Sequence, residues 1–223
     1  QTSAGSLAVL AASKNCSAAT LTNPIAIENA QQGTQDWIPN NQAWNREIEG
    51  YANQTSVAPG QSISFFVNTA SSAYSVRIYR LGWYGGNGGR LLRSADNLKG
   101  IRQSIPSPNG STGLAECRWK TPYRFTIPSN WVSGIYLAKL ISREGKESHV
   151  PFIVRDDIRT VNHLVQVSVN TWQAYNGWGG KSLYRYNSTN EQPAFKVSFN
   201  RPLYGYGSAE FYSDQSGWEL NTI

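Results

Sequence analysis

At 223 residues the chain is long enough for one large or two ordinary domains with a sizeable core. With 12% aromatic and only 15% charged residues it reads as folded and β-leaning rather than disordered. The formal charge of +6, from 20 Lys and Arg against 14 Asp and Glu, is scattered through strand-like segments such as Arg77, Arg90 and Arg124. No compact basic run presents itself, so nucleic acid is not an expected partner. No stretch reaches the ~18 consecutive apolar residues of a membrane span.

In chain order, the first forty residues, 1–40, carry no clear period and read as an extended N-terminal arm. From residue 41 the pattern changes. EIEGYA reads as a strand, Ala58-Pro59-Gly60 as a turn, and SISFFVNT and YSVRIYRLGW as alternating strands. RWKTPYRFTIP, SGIYLAKLIS and ESHVPFIVRD continue the series, the last two separated by a turn at Glu144-Gly145-Lys146. Short strands spaced by turn residues predict a mainly β fold, an antiparallel immunoglobulin-like β-sandwich over residues 41–155.

At Val154-Arg155-Asp156-Asp157 the character shifts. NHLVQVSVNTW reads as the first buried strand of an α/β domain beginning at residue 156. The cluster NTWQAYNGWGGKSLYRY then lies at that strand's carboxyl end, where ligands bind in open α/β sheets. Residues 156–223 are few for a complete domain of that kind. A continuation or a second chain is therefore expected to complete it, with a helix starting near Trp218 to Ile223.

Several constellations have a chemical and a structural reading. GWYGGNGG, residues 82–89, lacks the Lys-Ser/Thr of a phosphate loop and reads as a wide hairpin; its Trp83 and Tyr84 are the candidate platform for stacking on a sugar ring. Trp172 and Trp178 are further candidate ligand-binding rings. His149 and His163 stand far apart in sequence and read as structural, which disfavours a zinc site or a His-based triad. Asp156 and Asp157 read as a solvated pair or a cap. Cys16 and Cys117 either form one disulfide, closing a loop of about a hundred residues, or remain buried thiols.

The chain begins at Gln1 and has no Met, and Asn15, Asn53, Asn109 and Asn187 open Asn-X-Ser/Thr sequons. Together these point to a secreted glycoprotein processed at its start.

IEGYANQTSVAPGQSISFFVNT, IYRLGWYGGNGGRLL, SGIYLAKLISREGKESHVPFIVRDD, TWQAYNGWGGKSLY and SFNRPLYGYGSAEFY together resemble the large (beta) subunit of N,N-dimethylformamidase and its secreted bacterial relatives. The resemblance covers roughly residues 46–223 and is most specific in GWYGG and TWQAYNGWGGKSLY. It implies a β-sandwich preceding a glutamine amidotransferase-like α/β domain. It also implies hydrolysis of the C–N bond of a small-molecule amide at a mononuclear iron held by two tyrosines and a glutamate. Tyr175, in TWQAYN, corresponds to the first tyrosine ligand, and Tyr204 or Tyr206 is the nearest candidate for the second. Glu210 is the only carboxylate close to those tyrosines, and the glutamate is expected further along the fold. Phenolate oxygens are hard donors suited to iron(III), so the residue types fit the chemistry. The rival reading is a non-catalytic extracellular protein that binds glycan or assembles with itself into an oligomer through its aromatic faces.

Overall fold

The structure, a computed structural model, describes residues 23–203. It is mainly β, built on two sheets. Helix α1 (Pro24–Asn29) opens it, capped by the Asn23 carboxamide on the Ile25 amide, where an extended arm was expected. The strands are β1 (Ile48–Ala52), β2 (Ser56–Val57), β3 (Ser62–Thr69), β4 (Ala73–Leu81), β5 (Gly89–Lys99), β6 (Tyr123–Thr126), β7 (Gly134–Ser142) and β8 (Glu147–Val154). Helix α2 (Val169–Tyr175) follows them. One sheet has the order β1-β3-β6 and the other β2-β8-β7-β4-β5, with the short β2 paired parallel to β8. Among the described residues no helix is long and apolar enough to cross a membrane.

Side chains alternate across a strand, so one face of each sheet meets the other. Ile63, Phe65 and Val67 of β3 face Val76 and Ile78 of β4, Tyr136 and Leu140 of β7, and Phe152 of β8 in a single buried cluster. Burying each such ring or aliphatic group stabilises by about 1.5–3 kcal/mol. The far faces are covered too, which is why β7 is buried at nearly every position. Leu81, Ile135 and Leu137 lie under Trp37 and Val167. On the other sheet, Tyr51 and Phe66 pack with Ala115, Cys117, Trp119 and Trp178. Buried Lys139 ties the segment before β1 to the five-stranded sheet, donating to the Asp36 and Ile38 carbonyls and pairing with Glu147 at 2.9 Å.

GWYGGNGG does join two strands, but its rings divide. Trp83 is 66% exposed whereas Tyr84 is 1% exposed. The Tyr84 hydroxyl donates to Glu28 and accepts from Arg80, while Arg90 also reaches Glu28. Tyr84 holds φ +43, a conformation costly for a side-chain-bearing residue, and is followed by Gly85 at φ +65 and Gly86 at φ +90. Its burial and two hydrogen bonds hold that turn in place.

The strand expected from NHLVQVSV does not form. Residues 161–168 are irregular, with Leu164 88% and Val165 69% exposed, and TWQAY belongs to α2 instead. An alternating run becomes a strand only where another strand pairs with it, and none of the described strands does so. Among the described residues Cys117 stands as a free, buried thiol, and Cys16, its expected disulfide partner, lies outside them. Burial, then the Glu49 charge, push the Cys117 thiol up to about 12. It should therefore resist iodoacetamide in the native protein and label only on unfolding, as peptide mapping would show; rapid native labelling would contradict this packing.

His149 on β8 is neutral. Burial and the neighbouring Lys139 charge push it down to about 3, against a hydrogen bond with the Trp37 backbone. The unfolded chain therefore binds the His149 proton first. This contribution is complete above the unfolded pKa near ~6.5 and falls away as the pH drops from there towards 3, by at most about 1.4 kcal/mol per pH unit. His149→Asn should flatten the loss of thermal stability between pH 6 and pH 4; an unchanged slope would remove His149 from the acid response.

Candidate functional site

The stretch carrying TWQAYNGWGG is densely hydrogen-bonded. Glu49 points from β1 away from the inter-sheet core and is 6% exposed. It accepts two hydrogen bonds from Arg46 at 3.0 Å, one from Asn68 Nδ2 at 2.8 Å and one from Trp178 Nε1 at 2.8 Å. The Arg46 guanidinium lies 4.8 Å over the Trp178 ring, which meets Trp119 edge to face. Gly179 follows at φ +78, and a Cβ there would come within 2.7 Å of the Ala115 methyl. Only glycine satisfies both the backbone conformation and the contact.

Arg201 closes the other side. It is 1% exposed and donates to the carbonyls of Gln173, Asn176, Trp178 and Lys181 and to Gln173 Oε1. These are carbonyls at and beyond the carboxyl end of α2, which a helix leaves unpaired. Burial pushes the Arg201 guanidinium down to about 10, so it stays charged at neutral pH. Asn176 bonds inward as well, donating to Gln173 Oε1 and the Pro202 carbonyl and accepting from the Trp178 amide.

Tyr175, the last residue of α2, is half-buried. Its carbonyl accepts from Asn187 Nδ2 at 2.6 Å, and the Asn187 Oδ1 accepts in turn from the Ser182 hydroxyl. The ring stacks on Tyr184 with centroids 4.3 Å apart and lies 6.5 Å from Tyr186. A hydrogen bond with Tyr175, then its electrostatic influence, hold the Tyr184 hydroxyl above its ordinary pKa. Three phenols thus share one partly exposed face. The sequence reading did not single out Tyr184 or Tyr186, nor Glu49 and Arg201, which fix the segment behind them.

Trp172 lines a cleft of about 40 Å³ with Gly50, Thr55, Phe199 and Leu203, room for a few water molecules. Trp178 and Tyr84 are each 1% exposed and offer no face to a sugar ring, so the expected stacking platform reduces to Trp83 alone. Tyr204, Tyr206 and Glu210 lie outside the described residues. Among the described residues no three His, Cys, Asp or Glu side chains gather as a metal site. Glu191 is engaged with Arg185 at 3.2 Å. Tyr175 and its neighbours supply hard oxygen donors, and the second tyrosine and the glutamate of the implied iron site fall, as expected candidates, on residues outside those described.

Residues 75–223 match the family described as N,N-dimethylformamidase beta subunit-like, C-terminal. The chain belongs to this dimethylformamidase-like family. Its match takes in most of β4, all of β5 to β8, the Tyr175 face, Trp178 and Arg201, whereas Arg46, Glu49 and Asn68, which hold the Trp178 indole, precede it. No curated protein matches the chain. Among solved structures, a cycloisomaltooligosaccharide glucanotransferase from Paenibacillus sp. is similar at 16% identity and TM-score 0.31, over 49% of this chain and 14% of its own. An uncharacterized protein from Bacillus anthracis is similar at 11% identity and TM-score 0.33, over 56% of this chain and 95% of its own. A superoxide reductase from Ignicoccus hospitalis is similar at 10% identity and TM-score 0.29, over 54% and 95%. The chain spans a small fraction of the glucanotransferase, and at these scores none of the three assigns a fold or activity to the dimethylformamidase-like chain.

Proposed function

We propose that this chain carries part of an amide-hydrolysing site, cleaving the C–N bond of a small-molecule amide at the face formed by Tyr175. The family match through the TWQAYNGWGGKSLY motif carries the reading. In this proposal Tyr175 is one donor to an iron ion, and the remaining donors, a second tyrosine and a carboxylate, come from outside residues 23–203. Tyr204 remains the candidate for the second tyrosine. The two sheets are then an immunoglobulin-like sandwich, and residues 156–223 begin an α/β domain completed by a continuation or a second chain. Export from the cell and an oligomeric state belong to the same proposal. Glu49 and Arg201 act through position: Arg201 by bonding backbone carbonyls on both sides of Asn176, and Glu49 by accepting from the Trp178 indole, keep the Tyr175 ring from turning with its helix end.

Iron-supplied protein incubated with a panel of short N-alkyl formamides should release the corresponding amines. Tyr175→Phe should lose at least about a hundredfold in rate while retaining its melting temperature. Absence of amine release across the panel, or equal rates for the variant, would overturn the reading.

A further inference from the structure

In an Asn-Gly dipeptide the glycine amide can attack the preceding carboxamide, because glycine sets no Cβ beside the nitrogen and leaves the backbone free to bend towards it. The chain contains three such dipeptides, at Asn87-Gly88, Asn109-Gly110 and Asn176-Gly177. The fold treats them differently. Asn176 is fully buried, donating Nδ2 to Gln173 Oε1 and the Pro202 carbonyl and accepting from the Trp178 amide. Asn87 donates Nδ2 to the Tyr84 carbonyl, the Gly88 amide donates to the Trp83 carbonyl, and a Cβ on Gly88 would meet the Trp37 ring at 2.8 Å. Both carboxamides are held by the amino group that would have to leave.

Asn109 is arranged the other way round. It is exposed and opens a single turn, closed by the Gly113 amide donating to its carbonyl at 2.8 Å. Its Oδ1 accepts from the Ser111 amide at 3.0 Å, the Ser111 hydroxyl at 2.8 Å, the Thr112 amide at 3.0 Å and the Thr112 hydroxyl at 3.1 Å. Neither Asn109 Nδ2 nor the Gly110 amide has a hydrogen-bond partner among the described residues, and no atom lies within 4 Å of a Cβ built on Gly110. The nucleophile and the leaving group are therefore both open to water. The oxygen that gains charge on attack already faces four donors, which is how an oxyanion is stabilised.

We propose that Asn109 is a self-modification site. The Gly110 nitrogen bonds to Asn109 Cγ and gives up its proton, the Cγ–Nδ2 bond breaks, and the amino group leaves with that proton as ammonia. Water then opens the resulting succinimide. Breaking its Cγ–N bond gives aspartate, and breaking its backbone C–N bond gives isoaspartate. One neutral carboxamide becomes one carboxylate, so the formal charge of +6 falls to +5. Isoaspartate also lengthens the backbone inside a turn that holds a neighbouring segment: the Thr112 carbonyl accepts from the Phe195 amide at 2.8 Å, and Gly113 packs on Ala194. The inference is independent of whether Tyr175 binds iron.

Ageing the full chain at mildly alkaline pH, then digesting it in heavy-oxygen water and mapping the peptides, tests it, because product formed during digestion carries the label and product formed before does not. In the folded protein aspartate and isoaspartate should accumulate at Asn109 at least about tenfold faster than at Asn87 or Asn176. In denaturant the three sites should convert at comparable rates, since only the shared dipeptide remains. Ser111→Ala with Thr112→Val should slow Asn109 at least about fivefold in the folded protein, the loss of two modest hydrogen bonds, and leave its rate in denaturant unchanged. Gly110→Ala should slow it in both states. An Asn109 that stays intact in the folded protein, or converts no faster than Asn87 and Asn176, would overturn the proposal. So would a Ser111 and Thr112 variant that converts as fast as the parent.

Discussion

Arg201→Ala should destabilise the protein by on the order of 4 kcal/mol, the larger of the two strongest effects expected here. Removing the guanidinium strands four carbonyls, those of Gln173, Asn176, Trp178 and Lys181. A buried polar group without its partner costs about 1–3 kcal/mol, and water entering the space left by the side chain offsets part of the sum. For a chain of this size the loss corresponds to a fall in melting temperature of about 10 °C. Trypsin should cut earlier after Lys181 and Arg185. Arg201→Lys keeps the charge but not the planar fork, so it should recover less than half of the loss. A melting temperature unchanged in Arg201→Ala would mean that the segment after α2 is held by something other than these bonds.

Glu49→Ala should cost about 3 kcal/mol, because it removes the shared acceptor of Arg46, Asn68 and Trp178 and leaves the indole N–H and the carboxamide buried without their acceptor. Arg46 is 32% exposed and can turn to water, which keeps the loss below that of a fully buried pair. Glu49→Gln preserves the shape and an acceptor oxygen and should cost less than half as much. The double variant Glu49→Ala with Trp178→Phe should lose clearly less than the sum of the singles, since one hydrogen bond is counted in both. Additive losses would show that Glu49 and Trp178 act independently.

The strands of the central layers were legible in the sequence because period two is visible where one face is buried: Ile63, Phe65 and Val67 mark β3, and Val150, Phe152 and Val154 mark β8. The strand β5 was not. It is an edge strand whose residues are largely solvent-facing, with register shifts against β4 and Asn97 at φ +55, so its apolar residues do not alternate. The opposite error occurred at residues 163–169, where the alternation is real but no described strand pairs with it. Tyr84 read as an exposed ring because a glycine-rich stretch usually faces water; its burial depends on Glu28, 56 residues away, and on Arg80. The cluster around Tyr175 announced itself by composition, yet what fixes it did not. Glu49 and Trp178 are 129 residues apart, and nothing in SFNRPLY distinguishes Arg201 from a surface arginine.

In the proposed site Tyr175 is an iron donor held in place by the Glu49 and Arg201 networks. Titrating the full protein with iron(III) and recording its visible spectrum tests it most directly. One iron per chain and a tyrosinate-to-iron charge-transfer band that disappears in Tyr175→Phe are expected, with the unfolding free energies of the two iron-free proteins equal to within the ~1 kcal/mol of one partly exposed hydrogen bond. No band at saturating iron, or the same band in the variant, would contradict it.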